Sequence, residues 1–116
     1  MNSKWETVNT TPGSKSIKRM RTPSGWILRT DEGESVIYIH DESGDWLNEE
    51  KLTFYAIPSS GKDTWLRRAK IPGGWLLSRF TDKSIRIPEG EVVRLKTTEL
   101  TFVPDPEWKW VINYSS

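Results

Sequence analysis

One block of twelve residues occurs twice, and its recurrence constrains the fold more than any other feature of the chain. Ile17-Lys18-Arg19-Met20-Arg21-Thr22-Pro23-Ser24-Gly25-Trp26-Ile27-Leu28 aligns without gaps on Leu66-Arg67-Arg68-Ala69-Lys70-Ile71-Pro72-Gly73-Gly74-Trp75-Leu76-Leu77, 49 positions later (Trp26 to Trp75). Self-similarity at a fixed period marks repeated supersecondary units. Within each block proline fixes φ at the second position of a turn and glycine permits a positive φ at the next. Each block therefore reads as a hairpin, with a basic first strand and an apolar second strand. The same spacing sets Ser35-Val36 over Ser84-Ile85 and, one deletion later, Leu52-Thr53-Phe54 over Leu100-Thr101-Phe102. A competing alignment sets Ile37-Tyr38-Ile39-His40-Asp41 against Thr101-Phe102-Val103-Pro104-Asp105, with Trp46 over Trp110, but needs a much longer gap; the shorter gap is preferred.

Either alignment gives repeat-like halves of about 15–58 and 64–110, meeting near Pro58-Ser59-Ser60-Gly61-Lys62-Asp63. That run of turn formers is too short for a domain linker, so residues 1–116 are expected to form a single domain with one core. Seven Trp, 3 Tyr and 3 Phe supply apolar area in large pieces and offset a lean hydrophobic fraction of 34%. Strand signals dominate between the turns. Val36-Ile37-Tyr38-Ile39 is β-branched and aromatic, and Val92-Val93-Arg94-Leu95-Lys96 alternates with period two. Asp41-Glu42-Ser43-Gly44, Pro88-Glu89-Gly90 and Pro104-Asp105-Pro106 punctuate the runs as turns. The expectation is an all-β fold: a small antiparallel β-sandwich or partly open barrel of roughly eight to ten short strands, built by pseudo-twofold internal duplication. At most one short helical turn is expected, around residues 45–51. Trp108, Trp110, Ile112 and Tyr114 alternate with other residues, which predicts a last strand with an aromatic face, packed inward or presented as a ledge.

Several function classes are disfavoured by what the chain lacks. With no cysteine there are neither disulfides nor thiolate ligands, which points to a reducing, cytoplasmic setting. Met1-Asn2-Ser3-Lys4-Trp5 has no apolar signal region, and no uncharged run approaches membrane-span length. A net charge of +1 gives no global pull toward nucleic acid or membrane. No metal and no cofactor are expected: there is a single histidine, His40, and Gly73-Gly74 lacks the residues of a phosphate loop. His40 precedes Asp41 and Glu42, a possible base with its orienting carboxylate, but a solvated turn histidine is the plainer reading. Neither Ser24 nor Ser43 stands in a Gly-x-Ser-x-Gly elbow. The chain is therefore expected not to be an enzyme.

Ile71-Pro72-Gly73-Gly74-Trp75-Leu76-Leu77, followed by Leu100-Thr101-Phe102-Val103-Pro104-Asp105-Pro106-Glu107-Trp108-Lys109-Trp110, resembles a pattern of short uncharacterised bacterial and phage-encoded proteins. Those proteins carry a Pro-Gly-Gly-Trp turn, a variable middle and a Thr-Phe-Val-Pro-Asp-Pro ending before a Trp. The resemblance covers the second half only and implies a small fold carried by variable genomes, with no assigned activity. A His that commonly stands near the place of Trp108 is absent here.

Binding is the function class that remains. Lys15, Lys18, Arg19 and Arg21 recur as Arg67, Arg68 and Lys70 beside the tryptophans of the turns. Trp, Tyr and Arg are the residues richest in binding hot spots. The expected surface comprises Arg19, Arg21, Trp26, Arg68, Lys70 and Trp75, with Trp108 and Trp110 as a second aromatic patch. A protein partner or self-association ranks ahead of single-stranded nucleic acid, which the same cations and rings would bind by phosphate neutralisation and stacking. Carbohydrate or small-ligand binding on Trp platforms is a third reading. Whether Trp26 and Trp75 are core or exposed decides among them.

Overall fold

The structure is a computed structural model and describes residues 4–10, 16–31, 35–49, 51–58 and 61–112. Lys15, Ser59, Ser60 and Tyr114, invoked above, lie outside the described residues. Among the described residues eight strands make two four-stranded antiparallel sheets. The first contains β1 (Glu6–Thr7), β2 (Ile17–Arg21), β3 (Gly25–Thr30) and β4 (Val36–His40) in that order. The second contains β5 (Tyr55–Ile57), β6 (Thr64–Ile71), β7 (Gly74–Arg86) and β8 (Val92–Pro104), also in chain order. The architecture is all-β, consistent with a small sandwich or partly open barrel.

Both Pro-x-Gly-Trp segments form the expected hairpins, β2–β3 and β6–β7, with Arg21 opposite Trp26 and Lys70 opposite Trp75. The register of the flanking strands corrects the preferred alignment. Glu6 faces Arg19 as Tyr55 faces Arg68, so β1 and β5 also correspond at the 49-residue spacing. Gly25 then pairs with His40 and Gly74 with Pro104, so β4 corresponds to β8 at the wider spacing of the competing alignment. The extra length lies in the hairpin between β7 and β8, whose strands run 13 residues each, in contrast to the short strands expected. Tyr55–Ile57 belongs to the second sheet, so the two sheets part before residue 55.

No helix occurs among the described residues; 45–49 is irregular chain with a turn at 48–49, residue 51 is irregular as well, and residue 50 lies outside the described residues. One further expectation is corrected. Residues 105–112 form a turn and irregular chain, so Trp108, Trp110 and Ile112 do not share a strand. The reason is Asp105, whose side chain captures two backbone N–H groups of this segment and draws it back over the sheet.

Side chains alternate between the faces of a strand, and cross-strand partners share a face. On one face of the first sheet stand Ile17, Arg19, Trp26, Leu28 and Ile39, all buried. The equivalent face of the second sheet carries Leu66, Arg68, Trp75, Leu77 and Val103, while its opposite face carries Ala69, Leu76, Leu100 and Phe102. It is this opposite face of the second sheet that joins the first sheet in one hydrophobic cluster. Trp75 is buried but lies outside the cluster. The sheets therefore stack like over unlike. A pseudo-twofold, as expected from the sequence, would have buried the same face of both. Ser35 fastens the stack: its Oγ accepts from the Leu100 N–H at 2.9 Å, on the edge of β8. Beyond Thr81, which pairs with Thr64 of β6, the β7–β8 hairpin continues as a two-stranded arm with largely exposed side chains.

Candidate functional site

Each Pro-x-Gly-Trp turn is held tight by its neighbouring strand. A Cβ at Gly25 would collide with the carbonyl oxygen of Ile39, and one at Gly74 with that of Val103. Only glycine lets the turn approach β4 or β8 so closely. The following tryptophan is thereby placed beside the residue just past the end of that strand, an aspartate in both sheets. Trp26 Nε1 donates to Asp41 Oδ2 at 2.9 Å, and Trp75 Nε1 donates to Asp105 Oδ2 at 2.9 Å.

The aspartate organises the chain that follows it. Asp41 Oδ1 accepts from the Asp45 N–H at 2.9 Å and Oδ2 from the Trp46 N–H at 3.0 Å; Asp105 does the same for Lys109 and Trp110, at 2.9 and 2.8 Å. This folds a second indole against the first, edge to face, with centroids 6.1 Å apart in both copies. An arginine from the preceding strand closes each cluster. The Arg19 guanidinium lies 3.7 Å from the Trp26 centroid and donates to the Trp46 carbonyl at 2.7 Å. Arg68 lies 3.9 Å from the Trp75 centroid and donates to the Trp110 carbonyl at 2.6 Å. An identical set of cation–π, carboxylate–indole and backbone contacts thus stands twice in the molecule.

The two clusters differ at their outer margin. Arg19 is buried and paired with Glu6, whereas Arg68 is half-buried and, among the described residues, forms no ion pair; Tyr55 stands where Glu6 would. Arg21 donates to the carbonyls of Asp41 and Glu42 and covers Gly44, at φ 70°. In the second cluster that left-handed position is Trp108, at φ 52°, whose indole N–H donates to the carbonyls of Ile71 and Gly74 while Lys70 sits 4.2 Å from its ring. A bulky residue at positive φ is uncommon and is held here by those bonds. Burial pushes the Asp41 carboxyl up, but the Trp26 ring N–H, the Trp46 and Asp45 backbone N–H groups and the Arg21 charge outweigh it and hold the pKa below the ordinary value. The Lys109 backbone N–H and then the Trp75 ring N–H hold Asp105 low as well.

All eight residues expected at a binding surface fall in or beside these clusters, but not as expected. Trp26 and Trp75 are 9% and 8% exposed, and Arg19 is 4% exposed. They are interior, because a guanidinium and a second indole cover each ring. Bases or sugars therefore have no open Trp26 or Trp75 face on which to stack. Arg21 is half-buried and committed to backbone carbonyls. Arg68, Lys70, Trp108 and Trp110 line the accessible face of the second sheet. The residues missed were Asp41, Asp105, Glu6 and Trp46. The signal for Asp41, Asp105 and Trp46 was present in the wider-gap alignment, which superposes Asp41 on Asp105 and Trp46 on Trp110; Glu6, with Tyr55 in its place in the other half, had none. As for acid–base chemistry, Asp41 turns away from His40 toward Trp26, and His40 Nδ1 instead meets the Tyr38 hydroxyl at 3.3 Å. Among the described residues no cluster of His, Cys, Asp or Glu could hold a metal ion, and no helix is long and apolar enough to cross a membrane. Comparison with protein-family models, curated proteins and solved structures gives no match.

Proposed function

We propose that this chain is a non-catalytic protein-binding module whose contact surface is the open face of the second sheet. One observation carries this: the face that the first sheet buries is built again in the second, where no other sheet covers it among the described residues. Leu28 and Ile39 are 0% and 1% exposed, whereas their counterparts Leu77 and Val103 are half-buried and Thr101 beside them is exposed. Trp108 and Trp110 border this face with Arg68 and Lys70, a combination of rigid aromatic area and cations that favours protein contacts. Thr101→Lys places a charge on this face, on the edge strand β8 opposite Leu77, without touching the clusters. With immobilised protein and an extract of the source cell, a specific partner retained by the native chain and by the arm variant Arg86→Glu should be lost with Thr101→Lys. Equal retention by all three overturns the proposal.

Single-stranded nucleic acid keeps one supporting observation. Arg86, Arg94 and Lys96 share a face of the arm, although Arg94 is paired with Asp82. Gel shift at low salt decides it: loss of binding in Arg86→Glu supports it, and no shift excludes it.

A further inference from the structure

We infer that the partner of the open face is a second copy of this chain, docked through the outer face of its first sheet, so that molecules stack head to tail. This rests on the protein-binding reading above and names its partner. The two sheets within one molecule already show the contact. The first sheet's Arg–Trp face meets the second sheet's opposite face, and the apolar residues supplied by the second sheet and the residue leading into it are Ala69, Ile71, Leu76, Leu100, Phe102 and Phe54. By strand register the residues of the first half at those positions are Met20, Thr22, Ile27, Val36, Tyr38 and Trp5. All but Thr22, at the turn, are apolar or aromatic, yet they face outward. Val36 is 63% exposed, Tyr38 48% and Trp5 38%. A solvated sheet face should alternate to polar residues here.

The molecule thus ends in two unmated faces, at its two ends. One is the same kind of surface as the inner face of the second sheet. The other, with Leu66, Leu77 and Val103, is the same kind as the inner face of the first, with Ile17, Leu28 and Ile39. Docking the first on the second in another molecule repeats the contact that already holds the two sheets together. The faces are unlike, so the contact is heterologous, and such contacts propagate into rings or filaments and do not stop at a dimer.

The test uses two variants, each blocking one face. Val36→Glu charges the outer face of the first sheet, and Thr101→Lys charges the open face of the second. Sedimentation velocity over rising concentration should show the native protein growing past a dimer. Each variant alone should stay monomeric, with association weakened roughly tenfold or more. An equimolar mixture should form a dimer and stop there, because each variant retains the face that the other has lost. Tyr38→Lys replaces Val36→Glu if circular dichroism shows the latter unfolded. A native protein that stays monomeric overturns the inference, as does a dimer that neither grows nor is restored by mixing. If the native chain is monomeric but Thr101→Lys still loses a captured protein, the binding module stands and self-stacking falls.

Discussion

Arg19 and Arg68 make the same contacts in different surroundings, and this sets what each is worth. Arg19 is almost fully buried, its charge balanced by Glu6 and its planar group held against two indoles. Glu6 is itself half-exposed, so the cost of losing Arg19 lies in the interior: the Trp46 carbonyl loses its buried donor and a cavity opens between two indoles, together about 3 kcal/mol. Arg68 is half-exposed, so its loss removes a cation–π contact and one hydrogen bond, about 1–2 kcal/mol. Urea unfolding should therefore show Arg19→Ala more destabilised than Arg68→Ala, and equal midpoints would mean that burial is not what separates the clusters. The aspartates make a second prediction. Asp41 and Asp105 titrate below their ordinary value when folded, so the unfolded chain binds more protons near pH 4 and stability rises with pH through that range. The contribution is complete above the unfolded value of about 3.9 and is lost as the pH falls through the lowered folded values. Asp41→Asn with Asp105→Asn should flatten the fall in unfolding midpoint between about pH 5 and pH 3. Some slope will persist through Asp82, which its hydrogen bond and pairing with Arg94 also hold low.

At the scale of elements, the hairpins were legible because their determinants are local: proline, glycine and an alternation of types within a dozen residues. The equivalence of β4 with β8 was harder to see, because the arm inserts length between β7 and β8 and makes the correct alignment look improbable. The direction in which Trp26 and Trp75 point was not legible at all. Both start a run of three apolar residues, and such a run supplies each face of a strand. What buries them is an aspartate 15 residues on in one case and 30 in the other. The arm is separable on the same reasoning. Ile85, Val92, Val93 and Leu95 are exposed, and no residue beyond Thr81 on β7 has a partner in β6. An isolated two-stranded ribbon adds little stability. Excising residues 85–93 and closing the hairpin through Asn-Gly, which leaves Ser84 opposite Arg94 as in the native register, should shift the thermal midpoint by only a few degrees. A collapse of the fold would show that the arm braces the sheet.

Over the whole molecule, the like-over-unlike stack makes the two sheets depend on each other. The first sheet buries Leu28 and Ile39 against residues of the second, and the second buries Leu76 and Leu100 against the first. Neither has another cover for that face, so each alone would expose a continuous apolar surface. Two sheets with separate cores would unfold in two steps, and a substitution in one would move only its own step. A shared core has one step, moved by a substitution in either. Leu28→Ala and Leu76→Ala each remove a side chain with 0% exposure, and each should cost about 2–5 kcal/mol depending on how far the cavity collapses. Both should shift a single urea transition by comparable amounts, with tryptophan fluorescence and circular dichroism coinciding. Separate transitions, one moved by Leu28→Ala and the other by Leu76→Ala, would mean that the repeats are independent units merely in contact. The interface between them could then not serve as the template for contact between molecules.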